Sequence, residues 1–165
     1  MIKKLTALSI VFFFLAGFGN TEEKRDAGFE RLKSLNGDWV GEWSGKAEKD
    51  VKATFRLISG DTSLMQTMSD FHGEMVTTYY ADGNHLMLTH YCNANNQPRL
   101  RSEASVAQDV ITFSFHDATN MASPEEGHIE KLVMTVPDPN HIRQDWTWRE
   151  GGATRTDTIS FKRIR

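Results

Sequence analysis

The rhythm of apolar and polar residues changes near residue 37, and that change divides the chain. Upstream, Phe29, Leu32 and Leu35 recur every three residues and Asn36-Gly37 ends the run. This spacing predicts a short helix within 26–35 that lies on something apolar. Downstream the period becomes two, the repeat of a strand with one buried face. Trp39, Gly41 and Trp43 alternate with Val40, Glu42 and Ser44, and Val51, Ala53, Phe55 and Leu57 alternate with Lys52, Thr54 and Arg56. Turn signals then punctuate the chain at Ser59-Gly60-Asp61, Asp82-Gly83-Asn84, Gln108-Asp109, Pro137-Asp138-Pro139-Asn140 and Glu150-Gly151-Gly152, with a longer link over 117–127. An Asp-Gly pair between β-rich runs is a strong hairpin signal. About ten strands result, on links too short for crossover helices, so sequential strands pair antiparallel.

A flat sheet of that width leaves two long edges and one bare apolar face, and closing it removes both. The fold class expected is therefore all-β: an antiparallel up-and-down barrel of about ten strands with a short N-terminal helix. A two-sheet sandwich is the competing arrangement.

Ahead of the helix, Lys3 and Lys4 precede an almost unbroken apolar run over 5–18, and Gly17 and Gly19 stand at −3 and −1 of a cut before Asn20. This is the pattern of a secretory signal peptide, and the run is short of the roughly 20 residues a spanning helix needs. The expected organisation is a signal over 1–19, a leader and short helix over 20–34, and a barrel over 35–165. The mature chain is then periplasmic or secreted, with no membrane span once the signal is removed. The full chain carries 19 basic and 22 acidic residues; without Lys3 and Lys4 it has 17 basic residues and a net charge of −5. That balance argues against a nucleic-acid partner, which selects a basic face. The one cysteine, Cys92, excludes an intramolecular disulfide and every multi-cysteine zinc motif. It is expected as a small buried apolar residue.

The segment Leu35-Asn36-Gly37-Asp38-Trp39-Val40-Gly41-Glu42-Trp43 resembles the G-x-W-x-G first strand of calycins: lipocalins, fatty-acid-binding proteins and nitrobindin-like barrels. Ile159-Ser160-Phe161-Lys162-Arg163 resembles their basic last strand. The stretch from Tyr80 through Asp82-Gly83-Asn84 to Cys92, followed by Asn96-Gln97-Pro98-Arg99, is similar to lipocalin-like bacterial proteins of unknown function. The likeness spans 35–165. Trp39 shares an inward parity with Trp43, and Arg163 shares one with Ile159 and Phe161. Together with the resemblance, this predicts that Arg163 stacks on Trp39 and closes one end of the barrel.

Parity also sorts the polar candidates. His90 lies with Leu86, Leu88 and Cys92 on the more apolar face and is expected inside. His128 and Glu130 share the parity of Leu132, Met134 and Val136, near one mouth, at a spacing that suits a bridging water. Gln144 goes with Ile142, Trp146 and Trp148, whereas His141 and His116 face water. Of Tyr79 and Tyr80 only one can look inward, and Tyr80 is favoured. Asn96, Arg99 and Asn120 are assigned to a loop at the rim, with the Arg99 side chain outward.

An interior of Trp, Met and Leu with His90, Tyr80, His128, Glu130, Gln144 and Trp43 suits a small apolar or amphipathic ligand. No metal site and no catalytic residue is assigned, because no nucleophile elbow, P-loop, dinucleotide or zinc-protease motif occurs. Nitrobindin-like barrels imply a haem-ligating histidine on a late strand. None occurs in 154–165, so His90 or His128 would have to substitute. An enzyme using His90 as acid or base, and a partner-binding barrel packed solid, are the remaining alternatives.

Overall fold

A computed structural model describes residues 27–46, 50–102 and 109–164. The expected signal over 1–19, the leader to residue 26 and the turn at Gln108 lie outside the described residues. A helix, α1, covers 27–33. Ten strands follow: β1 Gly37–Trp43, β2 Val51–Ile58, β3 Ser63–Asp70, β4 Gly73–Asp82, β5 His85–Tyr91, β6 Gln97–Ser102, β7 Val110–Thr119, β8 His128–Asp138, β9 His141–Glu150 and β10 Ala153–Arg163. Each pairs antiparallel with the next, and β1 pairs with both β2 and β10, so the sheet closes into a barrel. No described helix is long and apolar enough to cross a membrane.

Closure follows from the alternation. Every second residue of β1 and β2, with Ile159 and Phe161 of β10, is apolar and turns into one shared interior, where Trp39, Phe55, Leu64, Leu88, Leu132 and Ile159 are at most 1% exposed. The hairpins that hold neighbouring strands in register use the predicted turns. Gly83 takes a left-handed φ of 55° between β4 and β5, where a side chain costs energy. Gly41 has a different task. It pairs with Phe161 across the β1–β10 seam, and a Cβ there would lie 2.5 Å from that ring.

The barrel has two unlike ends. At one, α1 and the turn that follows it press Phe29, Leu32 and Leu35 onto the interior. The Trp39 indole donates to the Leu35 carbonyl at 2.9 Å, and the Arg31 guanidinium donates to the Val136 carbonyl at 3.1 Å. Arg163 pairs with Trp39 across the seam, and its Cζ lies 4.2 Å from the Trp39 ring centroid, as predicted. The opposite end is framed by loops after β1, β3, β5, β7 and β9. Here the barrel opens.

Two bulges interrupt the alternation, and the one on β8 alters the predicted parity. Between β8 and β9, Ile129 pairs with Trp148 and Lys131 with Thr147, which leaves Glu130 as an extra residue. Between β6 and β7, Arg99 pairs with Asp117 and Leu100 with Phe115, so His116 is extra. An extra residue shifts every position beyond it to the other face.

Candidate functional site

The open end leads into a cavity of about 190 Å³. Its walls come from strand residues of inward parity: Trp43 on β1, Met68 on β3, Met75 on β4, Ile129 on β8, and Trp146 and Trp148 on β9. His90 of β5 lines it as well, 3% exposed, with its ring centroid 5.1 Å from that of Trp146. The His90 Nδ1 is 2.9 Å from Oγ1 of Thr77, itself buried. The ring's one hydrogen bond among the described residues is this contact through Nδ1, and Nε2 is open to the cavity that His90 lines. Burial pushes the His90 imidazole down to about 4, so it is neutral at pH 7.

Beneath the cavity lies a closed polar layer. Gln66 and Gln144 exchange reciprocal amide hydrogen bonds of 3.2 and 3.0 Å, and the Tyr79 hydroxyl donates to Gln66 Oε1 at 2.7 Å. The Trp146 indole donates to Gln144 Oε1 at 3.2 Å. Burial raises the Tyr79 phenol above its ordinary value, so it stays a neutral donor. Gln144 therefore points inward as expected, but its amide is committed to this layer, which forms a floor. Below it the interior is filled by apolar side chains.

The mouth carries charge that is already paired. The Asp70 carboxylate accepts from the Trp43 indole at 3.1 Å and from the His72 backbone N–H at 2.7 Å. The Lys46 ammonium lies 4.5 Å over the Trp43 ring and 3.3 Å from Asp157, which also accepts from Arg155 at 2.9 Å. Cys92 sits on the rim, half-buried where full burial was expected, and burial raises its thiol.

Several predicted residues go elsewhere. Tyr80 was favoured as the inward tyrosine, but Tyr79 goes in and Tyr80 hydrogen bonds Thr89 at 3.2 Å on the other face. The reason is Gln66 on β3, which offers a buried acceptor only on the Tyr79 side. His128 and Glu130 were expected to line the interior. The β8 bulge turns Ile129 to the cavity and puts His128 and Glu130 in a separate cleft with Phe115, Pro124 and Arg149. There His128 Nε2 lies 3.2 Å from Glu130 Oε2, a direct contact where a water bridge was expected, and Nδ1 donates to the Glu126 carbonyl at 2.7 Å. The pair ties the β7–β8 loop to its strand.

The rim residues are structural. Asn96 is 2% exposed and its amide donates to the Gly127 carbonyl at 2.8 Å, joining two loops. Asn120, at a left-handed φ of 56°, donates to the Asn95 carbonyl. Arg99 looks outward to Asp117, and its segment begins β6 rather than a loop. His116 and His141 are exposed, as expected. The cavity residues missing from the sequence prediction include Met68, His72, Met75, Ile129, Arg155 and Asp157. They come from the β3–β4 turn and from four different strands that closure alone brings together.

No family model matches the chain, and no curated protein matches it. Among solved structures the chain is similar to the crystal structure of Rv2717c from M. tuberculosis, with a TM-score of 0.61 and 16% identity, over 83% of this chain and 97% of that one. A likeness at that identity is one of fold, and it supports the barrel.

Proposed function

We propose that this barrel binds one small apolar or amphipathic molecule, reversibly, in the tryptophan-lined cavity at its open end. One observation carries the reading. A buried histidine with one ring nitrogen unpartnered among the described residues faces a cavity whose other deep walls are apolar. That nitrogen opens onto the cavity and is not sealed in packed protein, so a guest or a water can complete its hydrogen bonding there. An imidazole pushed down to about 4 is a weak base at pH 7, which favours binding over acid–base catalysis. The Trp39–Arg163 stack supports a calycin-like kinship.

Haem fits this site poorly. His90 Nε2 faces the cavity, but the volume of about 190 Å³ falls below the roughly 300 Å³ at the small end of drug-sized pockets, and a porphyrin is larger than most such ligands. His128, the other candidate, is committed to Glu126 and Glu130 outside the barrel.

The lysines and apolar run ahead of Asn20 support export to the periplasm or medium, with cleavage before that residue. Native mass spectrometry of the protein purified from its own host tests both proposals at once. The expected species starts at Asn20 and carries a small-molecule adduct that is lost in His90→Phe. A bare polypeptide from the host that also binds none of a panel of small aromatic compounds would remove the binding reading. An intact residue 1 would remove the export reading.

A further inference from the structure

The cavity's donors and acceptors define a narrow class of guest. Three indoles line it, and each N–H is already spent: Trp43 on Asp70 at 3.1 Å, Trp146 on Gln144 at 3.2 Å and Trp148 on Glu150 at 3.3 Å. These rings turn only carbon surface to a guest, and Met68, Met75 and Ile129 add more. The Gln66–Gln144 floor is likewise closed on itself. His90 Nε2 is the polar atom left in the depth.

Its hydrogen can be placed from Thr77. If His90 Nδ1 carried the proton, it would donate to Thr77 Oγ1, and the buried Thr77 hydroxyl would have its own hydrogen with no acceptor among the described residues. If the hydroxyl instead donates to Nδ1, that hydrogen is used and the proton of the neutral ring sits on Nε2. The second arrangement leaves no buried donor unspent at this pair. The imidazole then offers an N–H to the cavity. At the mouth, Asp157 meets Lys46 and Arg155, and Asp70 accepts from the Trp43 indole and the His72 N–H, so two cations and two carboxylates offset one another there.

We infer that the cavity selects a small uncharged aromatic molecule with a hydrogen-bond acceptor at its buried end, an aryl ketone, an aryl aldehyde or an azine ring, read by the Nε2–H of His90. This rests on the cavity being a binding site. The volume admits about one substituted ring, and the three indole walls favour a flat one. A carboxylate in the same position would bring an uncompensated charge against a neutral imidazole.

The test uses acetophenone, its isostere α-methylstyrene, in which a methylene replaces the carbonyl oxygen, and benzoate, each titrated calorimetrically at pH 7. The affinity ratio of acetophenone to α-methylstyrene is expected to be about tenfold higher in the wild-type protein than in His90→Phe, the worth of one buried hydrogen bond. Benzoate is expected to bind at least tenfold more weakly than acetophenone. Independently of any variant, long-range nitrogen–proton spectra of the wild type are expected to show His90 protonated on Nε2, with that proton shifting on addition of acetophenone and not of α-methylstyrene. An unchanged ratio, a preference for benzoate or a proton on Nδ1 overturns the class and leaves the cavity as a binding site. Binding of none of the three probes overturns the class and the binding reading together.

Discussion

The guanidinium of Arg163 lies over the indole of Trp39, and it holds more than the ring. Its three nitrogens donate to the carbonyls of Pro139 at 2.8 Å, Asn36 at 2.8 Å and Ser34 at 2.7 Å. One side chain thus joins the end of α1, the start of β1, the β8–β9 turn and the last strand. Burial disfavours its charged form, yet three carbonyls and an aromatic face surround it. A cation–π contact contributes about 0.5–2 kcal/mol, and hydrogen bonds from a charged donor about 1.5–3 kcal/mol.

Arg163→Ala is therefore expected to lower stability by about 2–4 kcal/mol in denaturant unfolding. Arg163→Lys should recover less than half of that, because an ammonium neither stacks flat nor spans three carbonyls. If alanine at 163 leaves the midpoint unmoved while Trp39→Ala lowers it, the pair does not close the barrel.

The burial of His90 makes stability depend on pH. In the unfolded chain its imidazole takes a proton near 6.5, and in the folded barrel only near 4. Between those values the unfolded state binds more protons, so stability falls as pH drops from about 6.5 to about 4. The full loss from this group is of order 3 kcal/mol, at about 1.4 kcal/mol per unit. Above pH 6.5 it contributes no slope. The measurement is urea unfolding at pH 7, 5.5 and 4.5 for the wild type and His90→Phe. The wild type should lose more stability on acidification than the variant, and equal losses would contradict the buried neutral imidazole.

Gly41→Ala probes the β1–β10 seam. The added carbon would stand 2.5 and 2.8 Å from two atoms of the Phe161 ring, which is 2% exposed and has nowhere to swing. Overpacking of this kind costs about 1–3 kcal/mol. Phe161→Leu in the same chain should return part of the loss, and a double-mutant cycle measures how much.

These relationships differ in how far the sequence discloses them. Alternation alone separates His90, Gln144 and Trp43 from Arg99, His116 and His141, because a strand with one buried face repeats every second residue. Tyr79 and Tyr80 defeat that rule, since each follows a threonine of its own parity. The deciding partner, Gln66, lies on another strand. The bulges at Glu130 and His116 leave no local mark either, and one extra residue sends His128 from the interior to a surface cleft. The mouth is the least legible part. Asp70 and His72 flank the β3–β4 turn, and Arg155 and Asp157 lie on the polar first half of β10, where no apolar alternation signals an inward face until the barrel closes.

His128 separates the two sites experimentally. It anchors the β7–β8 loop through the Glu126 carbonyl and Glu130, outside the cavity. His128→Ala is expected to speed amide exchange over 120–127 and to cost about 1–2 kcal/mol. Small-molecule affinity in the barrel should stay within about twofold of the wild type. A larger loss would mean that the cleft belongs to the binding site.

Gly127→Ala is the converse experiment, a loop change aimed at the cavity. Gly127 has no side chain because Trp148 lies against it: a Cβ would fall 2.2 Å from Cζ2 of that indole and 3.0 Å from Cε2. Loop backbone cannot retreat freely, since the Gly127 carbonyl accepts from the buried Asn96 amide at 2.8 Å. The indole is only half-buried and is the softer partner, so it must move, and it forms one wall of the cavity. Displacing it either fills the hollow or breaks its hydrogen bond to Glu150. Affinity for a small aromatic probe should fall at least tenfold, against a stability loss of about 1–2 kcal/mol. Calorimetric titration of acetophenone into the variant reads the first, and thermal unfolding the second. Full affinity in Gly127→Ala would show that Trp148 forms no part of the binding wall.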